Sequence, residues 1–135
     1  MSAAANDPGA FSPPDFWRLF GLSIERADEQ EIVLRMDVAD ALLSPFGTVH
    51  GGVLATLLDT GLAVAVARHV SAETRIATHT LNVSYVAFTR ERALACRART
   101  LTVRRSVAVA EGEVIELGGR LVAKAVATFG LRHPR

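Results

Sequence analysis

From residue 53 to residue 67 nearly every position is apolar, and Thr56, Asp59 and Thr60 are the exceptions. A helix that is apolar on every face is wrapped by other elements rather than laid on a surface. At helical spacing Gly52, Thr56, Asp59 and Ala63 share one stripe, so one carboxylate looks out of a narrow track of small residues. The run falls short of the roughly 20 apolar residues that cross a bilayer, and an acid at its middle argues against a span.

The remaining segments alternate with a shorter period. Residues 1–15 are small and polar, with Pro8, Pro13 and Pro14, and are expected to form a flexible leader ahead of a single domain over residues 16–135. A short helix follows, with Asp15 as its cap, Phe16, Leu19 and Phe20 as its apolar edge and Gly21 as its end. Residues 22–27 read as a strand, and Asp28-Glu29-Gln30 as a turn. In the next strand Ile32, Leu34, Met36 and Val38 share a face while Arg35 and Asp37 point away. Residues 39–46, broken by Pro45, deliver the chain to the helix.

Beyond the helix, residues 75–88 form a β-prone run with Thr78, Thr80, Asn82 and Ser84 on one side and His79, Leu81, Val83 and Tyr85 on the other. Residues 89–92 form a charged turn, 93–103 a strand, and Arg104-Arg105-Ser106 a break. Residues 107–117 and 121–131 are the last strands, joined at Gly118-Gly119. The pattern predicts an α+β domain: an antiparallel sheet of about six strands, the last four in hairpin succession, wrapped around one long helix.

Composition narrows this picture. Half of the 135 residues are hydrophobic but only 6% are aromatic, so the core must be built from Val, Leu, Ile and Ala. A net charge of +1 provides no field for nucleic acid or an anionic membrane. Cys96 is the one cysteine, which excludes an internal disulfide and suits a reducing compartment, the cytoplasm. The first sixteen residues lack the basic start and apolar core of a secretory signal. His50, His69, His79 and His133 have no partner at metal-ligand spacing, so neither a metal nor another cofactor is expected.

Chemistry concentrates at the two ends of the helical run. His50-Gly51-Gly52 places glycines where backbone N–H groups have no intrahelical partner, so a carbonyl oxygen gathering negative charge can be held by Gly51 and Gly52. Tight packing against a sheet accounts for paired glycines equally well. Asp59 lies roughly 12 Å further along the axis and cannot reach the same atom in one chain. Two antiparallel copies would bring the acid of one to the glycine turn of the other. The alternative for Asp59 is a buried acid hydrogen-bonded to Thr56, Thr60 or backbone, at a cost of several kcal/mol unless well paired.

Gly47-Thr48-Val49-His50-Gly51-Gly52, then Leu58-Asp59-Thr60, then Leu81-Asn82-Val83-Ser84-Tyr85, resemble in that order the hotdog-fold acyl-CoA thioesterases of the phenylacetate-degradation type. The likeness covers about residues 16–131. It implies hydrolysis of acyl- or aryl-CoA thioesters by a homodimer, paired again into a dimer of dimers, with coenzyme A entering only as part of the substrate. Asp59 takes the place of the catalytic carboxylate, Gly51 of the oxyanion donor, and His50 of a substrate-positioning group. Thr78 stands where relatives carry a hydroxyl beside the carboxylate or its water. Tyr85 and the segment Val103, Arg104, Arg105 and Ser106 match stretches that contact coenzyme A. Two positions depart from the pattern: Ser44 replaces an Asn or Gln that orients the water or acyl group, and Ala63 stands where the glutamate-using branch has Ser or Thr. Ser44 favours the rival reading, a non-catalytic acyl-CoA binding or sensing module. A hotdog dehydratase is disfavoured by the arrangement of histidine and acid.

Overall fold

The structure, a computed structural model, describes residues 14–135. The expected leader lies outside the described residues except for its last two positions, which are helical. Helix α1 (Pro14–Phe20) starts at a proline, whose fixed φ suits a first turn. Asp15 is therefore not the cap. It sits inside that turn and accepts a hydrogen bond from Arg18 Nη1 at 3.1 Å. The helix is anchored by Trp17, 2% exposed, while Leu19, assigned to the apolar edge, is 65% exposed. Gly21 ends it with φ at +64°.

Strands β1 (Leu22–Ala27) and β2 (Ile32–Asp37) pair antiparallel. Asp28 closes their turn by accepting from the N–H groups of Gln30 and Glu31. A 3-10 turn at Asp40–Leu42 leads to helix α2 (Gly51–Ala67). Strands β3 (Arg75–Tyr85), β4 (Ala93–Val103), β5 (Val107–Glu116) and β6 (Leu121–Arg132) complete one antiparallel sheet in the order β1-β2-β4-β5-β6-β3. The last four strands are thus not in hairpin succession. Strand β2 pairs with β4, and β3 crosses to the far edge to pair with β6. Strand β3 also stops at Tyr85 rather than residue 88, because the N–H groups of Val86 and Ala87 both turn to one acceptor, the Val122 carbonyl.

Helix α2 packs on β2 to β6, which explains its lack of a polar face. Leu57, Leu58 and Leu62 are fully buried, each gaining about 2 kcal/mol by leaving water. Opposite them β5 and β6 present Ala108, Ala110, Ala123, Ala125 and Ala127, all buried, which allow the sheet to curl closely onto the helix. One stripe stays uncovered: Gly52, Ala55, Thr56, Asp59, Thr60 and Ala63 are half-buried or exposed. Among the described residues no helix is long and apolar enough to cross a membrane.

Where α2 meets β4, a methyl group on Gly61 would fall 2.7 Å from Cys96 Sγ, so only glycine admits this approach. Burial pushes the Cys96 thiol up to about 12 and keeps it from forming the reactive thiolate. At pH 8, iodoacetamide should label Cys96 only at the rate of global unfolding, with fast labelling in denaturant as the control. Rapid labelling of the native protein would contradict this packing.

Candidate active site

The Gly51 end of α2 is built by a short loop. Ser44 and Thr48 close it: Ser44 N–H donates to the Thr48 carbonyl at 2.7 Å, and the two hydroxyls lie 2.9 Å apart. Ser44 Oγ also accepts from Phe46 N–H at 3.2 Å. The hydroxyl standing in for an amide is therefore engaged in shaping the loop. The Ser-Pro-Phe-Gly-Thr run carried that signal as a side-chain-closed turn.

His50 caps α2, its Nδ1 accepting from Gly52 N–H at 2.9 Å. This corrects the expectation that both glycine amides face a ligand, because Gly52 is already satisfied. Gly51 N–H has no partner among the described residues. Tyr85 reaches the same turn from β3, its hydroxyl donating to the Gly51 carbonyl at 2.8 Å. Ser44, Phe46, His50, Gly51, Tyr85 and Phe88 share a cavity of about 550 Å³. Phe46 and Phe88 stand at its rim, 81% and 85% exposed.

Asp59 does not line this cavity. It lies on the open stripe, half-buried, and its Oδ1 accepts from Thr78 Oγ1 at 2.7 Å. Thr56 instead bonds the Gly52 carbonyl, at 2.9 Å. The Asp59–Thr78 bond depends on a bulge at His79, where the β3–β6 register shifts between Thr78 and Thr80. One extra residue flips the alternation. Thr78 consequently joins Leu81, Val83 and Tyr85 on the helix side, not Thr80, Asn82 and Ser84 as strict period two predicts. Ala63 lies one turn beyond Asp59 on the same open stripe.

The segment of Val103, Arg104, Arg105 and Ser106 is far from Tyr85 within one chain. Its Ser106 carbonyl accepts from Leu131 N–H, and Leu131 pairs with Ile76 at the start of β3. Tyr85 ends that strand, roughly 30 Å away at about 3.3 Å per residue. His133, which the sequence left without a role, clasps this corner: its ring nitrogens contact the Arg105 carbonyl at 2.6 Å and the Thr74 hydroxyl at 3.3 Å.

One network at the Gly51 end was not legible in the sequence. Thr89, 2% exposed, donates from Oγ1 to Glu116 Oε2 at 2.7 Å, and its carbonyl accepts from Val49 N–H at 2.9 Å. Arg120 donates to both Glu116 oxygens and, at 2.6 Å, to the Phe88 carbonyl. The Arg120 guanidinium and the Thr89 hydroxyl hold the Glu116 carboxyl below its usual range. The β5–β6 hairpin thereby braces both the cavity wall and the backbone entering His50. Thr89→Val should leave the fold intact while exchange of the Val49 amide becomes about tenfold faster. An unchanged exchange rate would show that the hydroxyl does not support the brace.

Among the described residues no group of three His, Cys, Asp or Glu side chains converges as a metal site would require. Residues 46–123, which hold the Gly51 turn, α2 and β3 to β5, match the profile of the Thioesterase superfamily. The chain belongs to that superfamily. A Halobacterium salinarum protein named as a candidate esterase is 39% identical over 100 residues, covering 70% of this chain and 66% of that relative. The chain thus spans just under two thirds of the curated relative. Among solved structures, a candidate thioesterase described as phenylacetic acid degradation-related, from Ralstonia eutropha JMP134, is 31% identical over 87% of this chain and 89% of its own, with a TM-score of 0.81. A thioesterase family protein from Silicibacter pomeroyi superposes with a TM-score of 0.87 over 96% of both chains, and at 22% identity it supports the fold alone. The six-stranded sheet around α2 is the hotdog fold of these thioesterases.

Proposed function

We propose that this thioesterase-superfamily protein hydrolyses acyl- or aryl-CoA thioesters to a free acid and coenzyme A, without a metal or cofactor. The observation that carries the reading is the pairing of Asp59 with Thr78 on an open helix stripe, together with a Gly51 N–H that has no partner among the described residues. A carboxylate kept at a solvent-facing seam by one hydroxyl retains lone pairs for a water or a carbonyl carbon. Separation of the two groups along one helix makes a two-fold homodimer the working unit, Asp59 of one subunit facing Gly51 of the other. A dimer of dimers extends this arrangement.

In the general-base route Asp59 takes a proton from water as the oxygen attacks the thioester carbon. Gly51 N–H holds the oxyanion, and collapse expels the coenzyme A thiolate, which takes up the proton. In the nucleophilic route the carboxylate attacks first and the C–S bond breaks, expelling the coenzyme A thiolate and leaving an acyl-aspartyl anhydride; water then opens the anhydride, releasing the free acid and the Asp59 carboxylate, and a proton from that water passes to the thiolate. His50 positions the acyl group, Thr78 holds the carboxylate or its water, and Ser44 acts by shaping the loop. Tyr85 guides the pantetheine arm, and Val103, Arg104, Arg105 and Ser106 of the second subunit meet the nucleotide.

The test is release of free thiol from a panel of aryl-, medium-chain and short-chain CoA esters. Thiol release with saturation kinetics is expected for at least one class. Tight binding with no thiol release from any ester would instead establish the acyl-CoA binding module, the reading that the engaged Ser44 hydroxyl favours.

A further inference from the structure

Two phenylalanines at the Gly51 cavity are held by their main chains rather than by packing. Phe46 and Phe88 both line the cavity, yet their rings stand largely in solvent. A ring so exposed takes its direction from the backbone that carries it, and each of these backbones is tied by an arginine. Phe46 follows Pro45, whose own φ is fixed. The Phe46 N–H donates to Ser44 Oγ at 3.2 Å, and its carbonyl accepts from Arg90 Nη1 at 3.0 Å. The Phe88 carbonyl accepts from Arg120 Nη2 at 2.6 Å, and Arg120 is in turn gripped by both Glu116 oxygens.

Arg90 also joins the two segments, since it lies just beyond Phe88 in the chain and reaches back to Phe46. A second tie runs beside it, from Val49 N–H to the Thr89 carbonyl at 2.9 Å. Gly47 makes room for the guanidinium: its φ of +80° turns the loop, and a methyl group there would fall 2.8 Å from Arg90 Nη1. Neither arginine lines the cavity, whose wall carries no Asp, Glu, Lys or Arg side chain. Both therefore act on a bound group only through the phenylalanines.

We infer that Arg90 and Arg120 are positioning residues that set which acyl groups the protein accepts, by holding Phe46 and Phe88 at the cavity rim. The selected group is apolar and larger than acetyl. Pro45, Leu54 and Val86 continue the apolar wall behind the rings, in a space of about 550 Å³. Each added methylene that this surface covers tightens binding, by about fourfold at full burial. The inference rests on the reading of the Gly51 cavity as the thioester site, and binding without turnover separates it from hydrolysis.

The probes are S-ethyl- and S-hexyl-coenzyme A, thioethers with no carbonyl to hydrolyse, titrated into the full chain by calorimetry. The wild type should bind the hexyl ether at least about tenfold tighter than the ethyl ether. Arg90→Ala and Arg120→Ala should each cut that preference at least about threefold while leaving ethyl binding within about twofold. Arg99→Ala, at an exposed β4 position paired with Glu111, should change neither. A general loosening of the fold would instead weaken both ethers alike. In a Phe46→Ala background Arg90→Ala should cost no further preference, because the ring through which it acts is gone. An unchanged preference in both arginine variants, equal weakening of both ethers, or a full Arg90→Ala effect persisting without the Phe46 ring would overturn the inference. Selectivity as expected with no thiol release from any ester would fail hydrolysis and leave the inference standing, whereas no ether bound at all would fail both. Arg120→Ala deprives Glu116 of its cation, so circular dichroism checks that fold, and the exposed Arg90 carries the test by itself if that variant unfolds.

Discussion

Asp59→Asn is expected to keep the fold and the affinity for a CoA ester while turnover falls by at least ~100-fold, the scale of a lost acid–base group. The amide is the same size as the carboxylate and its oxygen can still accept from Thr78 Oγ1, so the 2.7 Å contact and the packing of β3 on α2 are preserved. What is lost is the capacity to take a proton or attack a carbon. Asp59 also lies on the open stripe with no buried partner to leave unsatisfied, so a purely structural acid would show only a small change. Turnover within threefold of wild type would remove Asp59 from the chemistry, whereas loss of binding together with turnover would make its role structural. Thr78→Val should have a smaller effect, because the carboxylate remains and only its orientation loosens.

The second large effect belongs to Gly51→Pro. Gly51 is the first residue of α2, where proline is well tolerated, and the preceding His50 has φ −61° and ψ 138°, a conformation that a following proline accepts. The substitution therefore deletes one N–H group with little disturbance of the helix. If that N–H holds the oxyanion, turnover should drop on the order of 10²–10³-fold, while Gly51→Ala, which keeps the N–H, should lose far less. A Gly51→Pro enzyme with near-normal turnover would show that another donor holds the carbonyl. The two inactive variants also test the seam. Mixed and reassembled, half the dimers would carry one intact Asp59 facing one intact Gly51, restoring roughly a quarter of wild-type activity. No restoration, with mixed dimers shown by mass spectrometry, would place both groups in the same chain's site.

Both candidates stand out in the sequence because each breaks a strong local pattern, one as an acid in an apolar run and the other in a glycine pair at a helix start. Strand bounds were legible where turn residues flank a β-prone run: β1 and β4 carry the bounds the sequence predicts, although each contains a register shift. The sheet order was not legible. Strand β3 pairs with β6, some fifty residues later, and such non-local pairing leaves no trace in adjacent turns. The face of Thr78 was misread for a related reason, since a single bulged residue reverses every side chain before it relative to those after. Trp17 was overlooked because its helix is too short for a periodic signal, yet it is the residue of α1 that enters the core. The Thr89–Glu116–Arg120 brace joins three segments and has no sequence signature at all.

The cap on α2 fixes the tautomer of His50. A ring nitrogen that accepts from Gly52 N–H must hold a lone pair, so in the neutral imidazole the proton sits on Nε2, on an exposed ring. His50 is thus a donor toward anything bound beside Gly51 and has no free lone pair with which to draw a proton from water.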